Sequence, residues 1–298
     1  MPALSVSSQT GQEAHGCFLT GSPPSTAGPA ASALRAAGNA ADASRVRRVS
    51  FVGSMVHYCT PRGGEPDRAR MDGMRDSLVR LNREIEACEL CPRLRQWCEE
   101  VARTKRRAYR DCEYWGRPVT GFGDAKARLL VIGLAPGAHG ANRTGRVFTG
   151  DASGDWLYRA MHGAGFANQA ESVERGDGLA LIDAWVTASV RCAPPDNKPS
   201  REEILTCRPY LEREIGLLRQ VKVVVALGRL AFDNYLALLR GQGHGVGRHE
   251  FAHGKVHQIG GELPVLISSY HPSRQNTQTG RLTREMLGSV FELARQLL

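Results

Sequence analysis

The chain contains no apolar run approaching the ~20 residues that a membrane-spanning helix requires. Its N-terminus lacks the basic start and long apolar core of a secretory signal. Cysteine is scarce: eight in 298 residues is too few for a disulfide scaffold. With no signal, the default is a reducing compartment in which thiols stay free or hold metal. No internal repeat is visible. Acidic residues are outnumbered, 30 Asp and Glu against 39 Lys and Arg, for a formal net charge of +9. That balance points toward polyanions, most simply nucleic acid, or toward a membrane surface, and charge alone does not choose between them.

What is present suffices for one or two domains, since 42% of the residues are hydrophobic. Residues 1–70 are rich in Ala, Gly, Ser, Pro and Thr without sustained apolar period. Such a composition buries too little surface to offset the entropy of ordering. This segment is read as a disordered or non-native N-terminal extension, and Met71 stands just before the first convincing helix. Most of the basic excess lies in 71–298. There Leu78, Leu81 and Ile85 recur at helical spacing. Strands are expected at 128–134, 179–190, 222–227 and 264–270, and helices at 153–164, 201–219, 229–240 and 281–297. Ser200 and Glu203 form a capping box at one helix start. Strands separated by helices of this length imply an α/β fold, a mostly parallel four-stranded sheet with helices on both faces.

Two loops at strand ends carry the chemistry. After Leu129–Ile132 comes a glycine-rich loop, Gly133 to Asp151, whose bare backbone lets a planar or phosphorylated group approach closely. After Val265–Tyr270 comes His271-Pro272-Ser273-Arg274-Gln275-Asn276. Loops at the carboxyl ends of strands are where α/β sheets bind ligands. A third segment, Arg191-Cys192-Ala193-Pro194-Pro195-Asp196-Asn197-Lys198-Pro199, joins a strand to a helix.

Cys88 and Cys91 form a C-x2-C pair, the common half of a zinc or iron–sulfur site. Cys192 and Cys207 lie fifteen apart across a rigid proline-rich loop. Spacing leaves three readings open: a centre of Cys88, Cys91, Cys192 and Cys207; a centre of Cys88, Cys91, Cys98 and Cys112; or unrelated buried thiols. Four thiolates accept zinc and iron–sulfur alike.

The order and spacing of the three motifs, with C-x2-C upstream, resemble the family 5 (type B) uracil-DNA glycosylases, the iron–sulfur-containing branch of the uracil-DNA glycosylase superfamily. The resemblance covers about residues 71–298. It implies a structural [4Fe–4S] cluster held by Cys88, Cys91, Cys192 and Cys207, leaving Cys17, Cys59, Cys98 and Cys112 as ordinary thiols. It implies hydrolysis of the N-glycosidic bond of uracil, and of other deaminated bases, in double-stranded DNA whose damaged base is flipped out. Action as a monomer in the cytoplasm, associated with the nucleoid and not with a membrane, is the matching expectation.

Three tasks follow: accept the base, counter the cationic sugar, and donate to the departing base. Asp151 is expected to stabilise the sugar and orient water, although its position before Ala152–Trp156 equally suits a helix cap. Other branches place a polar or acidic residue after the first glycine of the loop; Leu134 and Ala135 stand there, which moves that role to Asp151. His271 is expected to donate to the leaving base as neutral imidazole, against a bland role bonded to backbone. Phe148 is expected to stack on the base, against a core role. Asn197 carries donor and acceptor for reading a pyrimidine edge, though asparagine is also an ordinary turn residue there. Ala135, Gly137, His139 and Asn142 complete the expected base pocket. Arg274, Gln275 and Asn276 are expected to press into the helix, with Arg143, Arg146, Lys198 and Arg281 as candidates for phosphate contact; solvated surface charge is the bland alternative for each. No lysine other than Lys198 lies in these motifs, so attack by water without a Schiff base is expected. Competing classes are a non-catalytic damage-binding protein that keeps the metal centre, and a zinc-stabilised nucleotide hydrolase.

Overall fold

A computed structural model describes residues 76–298; the extension expected over 1–70, with Cys17 and Cys59, lies outside the described residues. In chain order the elements are α1 (Leu78–Glu86), α2 (Pro92–Thr104), β1 (Phe122–Gly123), β2 (Leu129–Gly133), α3 (Ala141–Thr144), α4 (Ala152–Gly163), β3 (Ala184–Ala188), α5 (Arg201–Leu217), β4 (Val223–Leu227), α6 (Arg229–Gly241), β5 (Lys255–His257), β6 (Val265–Ser269), α7 (Arg274–Gln278) and α8 (Arg284–Gln296).

The sheet runs β1-β3-β2-β4-β6-β5. Its four inner strands, β3, β2, β4 and β6, are mutually parallel, in register at Val186, Val131, Val225 and Ile267. The expected four strands are therefore the parallel centre. The sheet itself has six strands, because β1 and β5 add short antiparallel edges that two or three residues of sequence could not announce.

β2, β3 and β4 are buried throughout, as parallel strands covered on both faces must be. Alternate side chains go to opposite faces. Leu129 and Val131 join Leu157, Tyr158 and Met161 of α4 and Leu287, Val290 and Phe291 of α8. Leu130 and Ile132 join Leu211 of α5 and Phe232, Tyr235 and Leu239 of α6. The strand expected over 179–190 contracts to Ala184–Ala188 because Asp183 adopts a left-handed backbone, φ 57°. Its carboxylate accepts from the Arg128 backbone N–H and guanidinium at 2.9 Å. The last helix begins at Arg284 and not 281, since the Thr283 side chain accepts from Met286 N and caps it there. The Ser200–Glu203 capping box is present as expected. Among the described residues no helix is long and apolar enough to cross a membrane.

From β2 the chain proceeds to β3 on one side, and from β4 to β6 on the other. The carboxyl ends of β2 and β4 thus form a topological switch point, the place where open parallel sheets leave a crevice.

Candidate active site

The loop leaving β2 is shaped by two close approaches. At Gly133 a Cβ would lie 2.7 Å from the Phe148 ring, and at Gly154 it would lie 1.8 Å from the Phe148 carbonyl oxygen. Phe148 is thus gripped by two glycines, and it holds a left-handed backbone, φ 51°, that a bulky residue rarely adopts. Its half-buried ring faces His271 with centroids 5.8 Å apart and planes inclined by 34°. Two motifs far apart in sequence therefore share one place.

Asp151 caps α4: its Oδ1 accepts from Gly154 N at 3.0 Å. Its Oδ2 lies over the backbone of Gly137 and Gly140, where added Cβ atoms would stand 2.9 and 2.0 Å away. Burial raises this carboxyl above the usual aspartate range, against the opposing pull of the Gly154 and Ser153 N–H groups. The cap expected as the bland reading is present, and it leaves the second oxygen pointing into the glycine loop. Burial also lowers His271 to about 4, so the imidazole is neutral near pH 7. Asn276 fixes its backbone by donating from Nδ2 to the His271 carbonyl at 2.9 Å. A cavity beside His271 is lined by Leu134, Gly228, Tyr270, Asn276 and Arg281.

The remaining expected residues divide. Ala135, Gly137 and His139 are half-buried on the loop. The Tyr114 hydroxyl lies 3.1 Å from His139 Nδ1, a partner that sequence reasoning missed; burial, then the charges of Arg106 and Arg143, hold this histidine below its ordinary value. Asn142 is fully buried, and its Nδ2 donates to Cys98 O at 3.2 Å and Ala138 O at 3.4 Å. That packing shapes the loop from within, while Asn142 Oδ1 is buried with no hydrogen-bond partner among the described residues. Arg143 likewise braces the loop, donating to His139 O at 2.9 Å and Gly150 O at 2.8 Å. Arg146 corrects its expectation as a phosphate contact. It is buried and paired in fork fashion with Asp177 at 2.9 and 2.7 Å, with Nε on Thr149 Oγ1 at 2.9 Å. Arg274 and Gln275 are exposed on α7. Asn197 stands on an exposed turn with φ 56°, directly after Asp196 at φ 52°, and its side chain has no hydrogen-bond partner among the described residues.

Cys88, Cys91, Cys192 and Cys207 line a single small cavity with Arg95, Arg191 and Tyr210. Cys98 and Cys112 do not line it; the Cys98 thiol instead approaches Ala193 O at 3.5 Å. The wall behind Cys192 and Cys207 is held by a buried ion pair, Arg191 Nη2 to Glu214 Oε2 at 2.6 Å, with Thr187 Oγ1 and Trp185 Nε1 also donating to Glu214. Arg191 N donates to Cys207 Sγ at 3.3 Å. Ala135 and Ala138 of the glycine loop pack against this cysteine group.

Residues 120–295 match the family model of the uracil DNA glycosylase superfamily. The chain therefore belongs to that superfamily, whose members the parallel sheet and strand-end loops also fit. Within it the chain stands with the type-5 enzymes. It is 54% identical over 213 residues to a type-5 uracil-DNA glycosylase of Thermus thermophilus, covering 72% of this chain and 94% of the relative. It is 50% identical to one of Mycobacterium tuberculosis, covering 74% and 82%. A type-4 uracil-DNA glycosylase of Pyrobaculum aerophilum is more distant, at 30% identity over 66% of this chain and 83% of the relative.

Proposed function

We propose that this protein is a monofunctional DNA glycosylase that hydrolyses the N-glycosidic bond of uracil in double-stranded DNA and leaves an intact abasic site, opening base excision repair. The observation that carries this reading is the meeting of the Phe148 and His271 rings beside the loop on which the Asp151 carboxylate rests. An aromatic face, a neutral donor and a half-buried carboxylate are the three groups that the reaction asks for. Phe148 stacks on the extruded base. His271, kept neutral by burial, donates to a base oxygen as negative charge grows on the leaving group. Asp151 counters the positive charge developing on the sugar and orients the attacking water. Asn197, with its free amide, reads the pyrimidine edge or helps hold the water. Arg274 and Gln275 enter the helix.

The four cysteines that line one cavity are proposed as ligands of a [4Fe–4S] cluster. Beyond the shared lining of four thiols, which four-thiolate centres require, one feature supports the fit. Arg191, 2% exposed in the cavity wall, has an Nε without a partner, and a buried N–H of this kind calls for an acceptor. The cluster would tie the Cys88–Cys91 turn to the loop after β3 and to α5.

The test is duplex DNA bearing one uracil, incubated with the protein and then treated with alkali. Strand cleavage at uracil by wild type is expected, with a rate about 10²–10³-fold lower for Asp151→Asn. A protein that binds the duplex yet leaves the base in place would return the reading to a damage-binding protein. Purified protein with about four irons per chain and broad visible absorption supports the cluster; a colourless, zinc-loaded protein overturns it.

A further inference from the structure

Residues 105–117 supply none of the groups proposed for the chemistry, yet they are fastened to the loop that does. Trp115 N donates to Arg143 O at 2.9 Å and Gly116 N to Asn142 O at 3.0 Å. The Tyr114 hydroxyl meets His139 Nδ1 at 3.1 Å. The Arg143 guanidinium lies over the Tyr109 ring, 4.2 Å from its centroid. Gly145 leaves room for Trp115, since a Cβ there would stand 2.9 Å from the indole. The segment is thus held as a rigid border to the glycine loop.

Its charges differ from those just before it. Arg93, Arg95 and Arg103 each pair with a glutamate, at 2.7, 2.9 and 2.5 Å. Arg106, Arg107, Arg110 and Arg117 are all exposed, and no carboxylate of the described residues lies within 4.0 Å of any of them. The segment's other exposed charges, Asp111 and Glu113, leave the border strongly basic. Arg117 also lies over the Trp115 ring at 4.0 Å. Four exposed cations kept without carboxylate partners, on a backbone fixed against the base site, are free to pair with phosphates. A rigid support also lowers the entropy lost when they are engaged.

We propose that residues 105–117 form a second DNA contact, in which Arg106, Arg107 and Arg110 neutralise backbone phosphates on the His139 side of the site. Arg274 and Gln275 then meet the helix on the His271 side. This rests on the reading of the protein as one that acts on duplex DNA.

The experiment compares two triple variants of equal charge change: Arg106→Gln/Arg107→Gln/Arg110→Gln, and Lys126→Gln/Arg219→Gln/Lys222→Gln at the amino edge of the sheet. Binding of an undamaged, labelled duplex is followed by fluorescence anisotropy across salt concentration, so the readout stands even if no uracil is excised. Removing one arginine–phosphate pairing should lower the slope of log K against log salt by about 0.9, and weaken binding at 0.1 M salt by roughly eightfold. The border variant is expected to give up about two to three such pairings, the sheet-edge variant about none. On uracil-bearing duplex the border variant should raise KM and keep kcat. Equal slopes for the two variants, or a loss of kcat with binding intact, overturns the proposal. Unchanged melting temperature and an unaltered tryptophan spectrum establish that the border is still folded.

Discussion

Asp151 is asked to do two things with two oxygens, and substitution can separate them. Oδ1 caps α4 through Gly154 N at 3.0 Å, and Oδ2 rests on the glycine loop. Asp151→Asn keeps a good cap acceptor, because Asn and Asp rank alike at that position. Asp151→Ala removes the cap, which costs about 1 kcal/mol, or roughly 2–4 °C in Tm for a domain of this size. The wild-type carboxyl is raised by burial. The native state therefore holds its proton at pH values where the unfolded chain has already released it. The sign follows: stability falls as pH climbs from the ordinary aspartate value through the raised one, and the carboxylate is carried at a cost at pH 7. Asp151→Asn should melt at or above the wild-type temperature near pH 7, while Asp151→Ala melts below Asp151→Asn. For turnover the order differs. Both variants lose the anion and should fall by about 10²–10³ in kcat, and wild-type kcat should decline as pH drops through the raised carboxyl value. Calorimetric melting of the three proteins, beside single-turnover excision from a uracil duplex, decides the matter. An Asp151→Asn protein that keeps most of its turnover would refute the need for charge, and one destabilised as much as Asp151→Ala would refute the burial reasoning.

Three further outcomes are expected. Gly140→Ala would set a methyl 2.0 Å from Oδ2; the carboxylate must shift by about 1 Å, and kcat should fall by about 10²-fold, as single-turnover kinetics will reveal. His271, lowered to about 4, should show no titration by NMR between pH 5.5 and 8. The native state resists its protonation, so its contribution to stability is complete above 6.5 and is lost as pH falls toward 4, an effect on the order of 3 kcal/mol that His271→Gln should abolish in pH-dependent melting. Arg191→Met leaves Glu214 buried without its cation and should cost about 3–5 kcal/mol in denaturant unfolding, whereas Arg191→Met with Glu214→Leu should recover much of that loss.

The four central strands were legible because each is a short apolar run ended by a glycine or a polar loop, and the capping box at Ser200 announced α5 without ambiguity. Helix α2 was missed although Leu94, Cys98 and Val101 carry helical spacing; the cysteines beside it drew the reading toward a turn. The edge strands β1 and β5 exist through pairing with neighbours, so no local pattern encodes them. Within the candidate site, the family resemblance points to Asp151, His271 and Phe148, but no sequence pattern carries their contacts. Arg146 looks in sequence like a group facing a ligand, and it is buried with internal partners instead. A polar residue's direction depends on what packs above it, and that is tertiary information. The border at 105–117 escaped notice for the same reason: a basic run signals nothing until the neighbouring arginines are seen to be paired and these are not.

Ala135 and Ala138 face the cysteine group with their methyls, while their backbone belongs to the same glycine-rich loop as His139 and Asp151. One layer of small side chains thus lies between the thiols and the loop backbone. Close-packed interiors transmit strain across such a layer. Enlarging either alanine by even two methyls would press on the thiols and on the glycine loop at once, so the two sides of this layer are coupled.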